Sequence, residues 1–300
     1  MKIKEAELKK EFGKQFLVNE KLSNYSWFNL GGPAEIFFKP NSIEDIVFFL
    51  EKVKPKKFIV LGAGSNTLIR DGGIKGIIIK LSSVFSYTRL VLQDTIEVGA
   101  ATPDKKVANF AIENSLTGLE FLACIPGSIG GAVRMNTGCY NEDISQILHS
   151  IKVINTQGHI REILAKDIKF YYRSTNLEEN LLILSAKLIG KKSLKQKIEE
   201  KQKAMIEKKK SDQPSQIKTC GSTFKNPKNK KAWELIKESN CENLAVGDAK
   251  ISKKHCNFFV NNGKATSREL EELINKVKTN VYRETKINLE LEIKIIGYNK

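Results

Sequence analysis

Apolar positions along this chain change period several times, and each change predicts an element. Ser42-Ile43-Glu44-Asp45 predicts a helix start: a Ser cap with an acid three residues on, then apolar residues at helical spacing through Val53. Lys57 to Leu61 reads as a short β-rich run, and Gly76-Ile77-Ile78-Ile79-Lys80 as another strand. Asp94 to Gly99 predicts a strand. Thr102-Pro103-Asp104 opens a helix with Val107, Phe110 and Ala111 on one face, closing near Gly118. Further strands are predicted around 150–155 and 181–189. Residues 191–210 are dominated by Lys, Glu and Gln and lack Gly and Pro, so they read as a solvated helix bridging two domains.

The C-terminal third has its own pattern. A Gly-Ser turn at 221–222 precedes a helix near 231–239 and strands near 244–250 and 257–261. A helix over 267–282 opens with the capping box Thr266-x-x-Glu269 and carries the stripe Leu270, Leu273, Ile274, Val277, Val281. Leu289-Glu-Leu-Glu-Ile-Lys-Ile alternates strictly, placing Glu290, Glu292 and Lys294 on one face of a strand.

Composition narrows the class. The chain has 300 residues, 41% hydrophobic and 28% charged, enough for a sizeable core and two or three compact units. The opening MKIKEAELKK contains no apolar signal core, and the purely apolar runs, such as Ile46–Leu50, fall far short of a membrane helix's roughly 20 residues. A cytoplasmic location without a membrane span is the expectation. The five cysteines have no Cys-x-x-Cys spacing and the three histidines are scattered, so no metal site is expected. A net charge of +16 raises nucleic acid as a partner. Only seven of the fifty basic residues are Arg, and they are spread along the chain without clustered aromatics, so no nucleic-acid partner is expected. A positive field still attracts anionic small molecules to a cleft.

Two glycine-rich loops are the strongest chemical clue. Gly62-Ala63-Gly64-Ser65-Asn66-Thr67 has Thr where a dinucleotide fingerprint needs its third Gly, and no Gly-Lys-Ser/Thr follows. No helix of ten or more residues lies between the flanking strands, which also excludes a Rossmann turn. Such a loop can turn its N–H groups inward as an anion nest. Ile125-Pro126-Gly127-Ser128-Ile-Gly130-Gly131-Ala132 can do the same, or present the start of a short helix to an anion. Two loops suit a ligand with two phosphates; the same glycines also suit plain tight turns.

The combination is more specific. "LGAGSNTLIRDGG", then "IPGSIGGAVRMNTG", "YYRST", "GSTFKNP", "KHCNFFVN" and "LELEIKIIG" resemble, in this order, the UDP-N-acetylenolpyruvoylglucosamine reductase (MurB) family. The likeness runs from "YSWFNLGGPAEIFFKP" to Gly297. It implies an α+β fold: a two-part FAD-binding region of the vanillyl-alcohol-oxidase (PCMH) type, then an α/β substrate domain. The implied domains are 1–85 and 86–190 for FAD, 191–212 as the charged bridge, and 213–300 for substrate. The resemblance implies NADPH as hydride donor and UDP-N-acetylglucosamine enolpyruvate as substrate. A monomer is expected. Related oxidases tether flavin to His or Cys; neither occurs in 60–80, so FAD is expected to be non-covalent. A flavin oxidase on the same scaffold is the nearest alternative.

The implied reaction adds hydride to the outer carbon of an enol ether attached to a carboxylate. It therefore needs a cation for the developing charge and a proton donor. By motif match Arg173 is the cation and Ser222 the donor, with Glu292 assisting; spacing alone does not choose between Glu290 and Glu292. Tyr172, Lys225 and Asn226 are the implied substrate contacts, Lys225 toward a UDP phosphate. The family's Ala-Gly-Ala-Tyr-Gly is Thr137-Gly138-Cys139-Tyr140-Asn141 here, which leaves the turn open. Arg134 either reaches a phosphate or points to solvent. No Tyr-bearing insertion occurs in the C-terminal part, as in the family's shorter subtype.

Overall fold

The Ser42 hydroxyl accepts the Asp45 N–H at 2.9 Å and starts the helix Ile43–Val53 in the computed structural model, which describes residues 5–300. Residues 1–4 of the charged opening lie outside the described residues, and Glu5–Phe12 forms a helix. The apolar face of Ile43–Val53 buries Ile46, Phe49, Leu50 and Val53. Phe49 stacks on Phe38 with ring centroids 4.0 Å apart, and Phe12 meets both rings edge-on. Beneath them lies a four-stranded sheet in the order Phe16–Lys21, Pro33–Phe38, Ile74–Ile79, Ile59–Val60, its last pair parallel.

A second sheet has five strands in the order Ile160–Leu164, Leu148–Ile154, Leu182–Ile189, Thr95–Gly99, Thr88–Leu90, antiparallel throughout. Its central strand Leu182–Ile189 is almost continuously apolar because both faces are buried. Ile183, Ala186 and Leu188 join a core with Val107, Phe121 and Ile129, whereas Leu182 and Leu184 join the core around Phe49. The two cores thus meet on one strand, and a boundary at 85/86 does not separate independent units.

The chain divides into two compact units. One comprises the described residues up to Val18 with Ile36–Ala63 and Gly76–Lys209, and the other Asn19–Glu35, Gly64–Lys75 and Lys210–Lys300. The expected domains were continuous; the second unit instead recruits two early segments. The reason is pairing and burial: Thr67–Ile69 pairs in parallel with Lys294–Ile296, and Phe28, Leu30 and Leu68 fill the C-terminal core beside Phe224, Leu273 and Val277. The expected charged bridge is also corrected. Its helix is Lys195–Asp212, which lies on the first unit as far as Lys209. Ile198 and Gln202 are buried, Met205 packs on the first unit's core, and Lys201 pairs with Glu120 and Glu142 at 3.2 and 2.6 Å.

Three predicted elements end differently. The helix from Asp104 stops at Glu113, since Ser115 takes φ +56° and Leu116–Thr117 pairs with Lys191–Lys192. The predicted strand 244–250 is a hairpin of Ala245–Val246 and Ala249–Ile251, turning at Gly247 with φ +53°. Around 289–296 regular strand covers only Lys294–Ile296. Leu289 and Ile293 are nevertheless buried, so the alternation read from the sequence still sorts core from surface. Among the described residues no helix is long and apolar enough to cross a membrane.

Candidate active site

The first glycine loop turns its carbonyls into the protein. Gly62 O accepts the Lys80 ammonium, whose pKa is pushed down by burial and then by the Lys39 charge. Gly64 O accepts the Trp27 N–H at 3.1 Å and the Cys220 thiol at 3.6 Å. Thr67 O accepts the Ser26 hydroxyl at 3.3 Å and the Cys220 thiol at 3.4 Å. Burial pushes that thiol's pKa up to about 12, which keeps it a donor. Asn66 O accepts the Lys294 N–H at 2.9 Å, and its side-chain amide donates to Glu292 O at 3.1 Å. Among the described residues, the N–H groups of Gly62, Ala63, Gly64, Ser65 and Asn66 donate no hydrogen bond within the chain. Five adjacent donors without an internal acceptor are what an anion nest requires. Gly64 has φ +70°, and a Cβ there would lie 1.8 Å from Tyr25 O, so no other residue fits.

The second loop differs. Gly127 N–H donates to Ile125 O, Ile129 N–H to Thr102 O, Gly130 N–H to Ala100 O and Ala132 N–H to Ser128 O, all at 2.9–3.1 Å. These bonds anchor the seven-residue helix Ile129–Met135, and its first N–H groups are not open to an anion. The full second nest expected from the sequence shrinks to the N–H groups of Ser128 and Gly131. A Cβ on Gly131 would meet nothing within 4 Å, whereas one on Gly62 would meet only the Ser128 hydroxyl, at 3.4 Å. The two loops therefore adjoin through Gly62 and Ser128. Behind them Asp104 donates its N–H to Gly127 O at 3.2 Å. Its fully buried carboxyl has no hydrogen-bond partner among the described residues, and burial holds its pKa well above the usual range.

Arg173 sits at the tip of the hairpin Phe170–Tyr171/Ser174–Thr175 with φ +59°, a backbone region that is strained for Arg. It donates to Gly138 O at 2.7 Å and lies 4.8 Å from the Tyr172 ring centroid. Tyr172 itself is exposed. Asn136, buried, steadies the hairpin by donating to Tyr171 O at 3.1 Å. Gly138 has no room for a Cβ, which would lie 2.2 Å from Glu142 O. The departure at Asn141 resolves here. Tyr140 and Asn141 both have positive φ, +54° and +66°, in the two-residue turn joining Gly138–Cys139 to Glu142–Asp143. Asn tolerates that conformation in place of Gly. Arg134 does neither thing expected of it: its guanidinium binds the carbonyls of Leu177, Glu178 and Leu181, and burial pushes its pKa down.

The segments that carry Ser222 and Glu292 pair within the second unit. Residues 222–225 run between two neighbours, with Ser222 bridged to Phe258 and Phe224 to Leu291. Glu292 N–H donates to Thr223 O at 2.9 Å, and Lys225 N–H to Glu290 O at 2.8 Å. Glu290 is largely exposed and pairs with the Lys225 ammonium at 3.5 Å; Glu292 is half-buried, which separates the two acids that spacing could not. Asn226 Oδ1 accepts the Ala232 N–H at 3.0 Å and caps the helix Ala232–Glu238, leaving its NH2 for other contacts. Sequence reasoning assigned no role to Asn257, Asn136 or Cys220, although "KHCNFFVN" and "MNTG" contain the first two. Their importance lies in bonds to distant backbone, which no local pattern encodes.

The free N–H groups of the first loop suit a pyrophosphate, and the family that the chain matches makes it an FAD-binding oxidoreductase. Residues 34–164 match the family described as FAD binding domain, and residues 213–296 that of the UDP-N-acetylenolpyruvoylglucosamine reductase C-terminal domain. The chain belongs to the UDP-N-acetylenolpyruvoylglucosamine reductase family. It is 45% identical to the reductase of that name from Pelagibacter ubique (strain HTCC1062) over 279 residues, 92% of each chain. To that of Wolbachia pipientis wMel it is 40% identical, over 92% of this chain and 94% of the other. The crystal structure of the Thermus caldophilus reductase (MurB) superposes with a TM-score of 0.82 at 30% identity, covering 94% of this chain and 98% of that one.

Proposed function

We propose that this chain reduces UDP-N-acetylglucosamine enolpyruvate to UDP-N-acetylmuramate in peptidoglycan precursor synthesis, with NADPH as reductant and non-covalent FAD. The observation that carries the reading is the Glu292 N–H to Thr223 O bond, which sets Ser222 and Glu292 on adjoining segments. Gly62, Ala63, Gly64, Ser65 and Asn66 would hold the FAD pyrophosphate through their uncommitted N–H groups, with Thr67 closing the loop onto its strand. Ser128 and Gly131 add donors, and Ile125, Pro126, Gly127, Gly130 and Ala132 shape the second loop. Bound FAD supplies hydride transfer, from NADPH to the outer carbon of the enol ether.

Negative charge then gathers on the carbon next to the carboxylate and on the carboxylate itself. Arg173 supplies the compensating positive charge. Ser222 gives its hydroxyl proton to that carbon, and Glu292 assists with charge and proton placement. A neutral hydroxyl is a weak acid, so this transfer works only because the receiving carbon is strongly basic. One substrate, one NADPH and one proton become product and NADP+. Lys225 meets a UDP phosphate, with Tyr172 and Asn226 as further contacts. The chain acts as a monomer in the cytoplasm.

The test separates the two half-reactions under anaerobic conditions. Ser222→Ala is expected to leave flavin reduction by NADPH intact and to slow flavin reoxidation by substrate by about 100-fold or more. Ser222 is not the proton donor if both half-reactions survive unchanged.

A further inference from the structure

Ser222 lies in a segment held by isolated bridges, with no regular ladder on either side, so individual bonds decide where its hydroxyl points. Asn257 supplies three of them. Its Oδ1 accepts the Phe224 N–H at 2.9 Å and its Nδ2 donates to Phe224 O at 2.8 Å. Its backbone O accepts the Thr223 N–H at 2.8 Å. Asn257 is only 3% exposed, so water does not compete for these bonds. Asn257 N–H in turn donates to His255 Nδ1 at 3.2 Å, and the imidazole packs edge-on against Phe258 with centroids 4.8 Å apart.

We propose that Asn257 is the positioning residue of the proton donor, an inference that rests on Ser222 filling that role. A side-chain amide that binds both the N–H and the C=O of one residue does the work of a strand partner. It holds Phe224, and with it the turn carrying Ser222, where no backbone neighbour offers both groups. The Asn amide carries its donor and its acceptor side by side on one planar group, matched to the N–H and C=O of one residue. A carboxylate keeps the acceptor and turns a second oxygen toward Phe224 O; Leu keeps neither group.

Asn257→Asp and Asn257→Leu, compared with Ser222→Ala in the FAD-loaded protein, test the assignment. The measurements are flavin reduction by NADPH, reoxidation by the enolpyruvyl substrate, its solvent isotope effect, and the melting temperature. Asn257→Asp is expected to slow reoxidation about 100-fold, the penalty of a misplaced reacting group. Flavin reduction should stay within about twofold, and the isotope effect on reoxidation should rise as proton transfer becomes limiting. Asn257→Leu is expected to do the same more strongly, and the Asp variant stands alone should Leu not fold. Unchanged reoxidation in Asn257→Asp overturns the inference while a defective Ser222→Ala keeps the reading of Ser222. Parallel loss of bound FAD, melting temperature and both half-reactions also overturns it, because the amide would then hold the fold and not the donor. A normal Ser222→Ala overturns the reading of Ser222 itself.

Discussion

The two glycine-rich loops look alike in sequence and behave differently in the fold. In Gly62–Thr67 the carbonyls of Gly62, Gly64, Asn66 and Thr67 are engaged and five N–H groups are left over. In Ile125–Ala132 most N–H groups are engaged, and what remains is the N–H groups of Ser128 and Gly131 and open space beside Gly131. Glycine content therefore marks where backbone can come close to something, without saying whether the partner is a ligand or the protein's own backbone. The first loop is a donor surface; the second is a braced wall.

Substitutions can break this contrast. Gly64→Ala carries the largest expected effect, because it combines a positive φ with a Cβ 1.8 Å from Tyr25 O. The backbone conformation alone costs about 1–3 kcal/mol, before the clash. The variant should purify without flavin, seen as lost visible absorbance per protein; full FAD content would show that the loop is not the cradle.

Asp104→Asn probes the bracing of the second loop. Burial without a partner holds the Asp104 carboxyl well above the usual carboxylate range in the fold, whereas in the unfolded chain it ionises near its ordinary value. Above that value the folded state binds the extra proton, so stability falls as pH rises, by up to about 1.4 kcal/mol per pH unit. This loss continues until the raised folded pKa is reached. Asn has no such proton, so the variant should melt higher near neutral pH and lose the slope. Equal slopes in denaturant titrations of both apoproteins between acid and neutral pH would contradict this.

The smallest effects come from the paired variants Gly130→Ala and Gly131→Ala. A Cβ on Gly130 would sit 3.1 Å from the Ala100 Cβ, so the fold should lose about 1–2 kcal/mol from crowding. Gly131 has open space, and Ala there should keep or raise apoprotein stability by up to about 1 kcal/mol. If the space belongs to FAD, Gly131→Ala still weakens FAD on the order of tenfold, or about 1.4 kcal/mol. Calorimetric titration of FAD into both apoproteins reads the difference; unchanged FAD affinity in Gly131→Ala removes that position from the site.

Periodicity alone located much of the fold. The helix Ile43–Val53 and the C-terminal helix from Ser267 carry caps and stripes that act within one turn, so their starts were legible. Motif order singled out Arg173, Ser222 and Glu292 as candidates, and the alternation in 289–293 correctly sorted buried Leu289 and Ile293 from exposed Glu290. The lysine-rich helix misled because charge dominates its composition, while Ile198, Gln202 and Met205, at i, i+4 and i+7, attach it to the first unit. Arg134 misled too, since a cation beside a glycine loop suggests phosphate until the carbonyls of 177–181 are seen around it.

What the sequence determined by itself is whatever depends on neighbours a few positions away: caps, stripes, permissive glycines and the order of motifs. Only the tertiary structure decided which N–H groups remain free, that residues 19–35 and 64–75 join the C-terminal unit, and that Asn257 and Cys220 hold the backbone around Ser222 and the first loop. The physical reason is that each backbone donor finds its acceptor in space. Whether Gly62–Asn66 is a nest or a turn depends on strands and loops far away in the chain, among them the 294–296 strand that pairs with Thr67–Ile69.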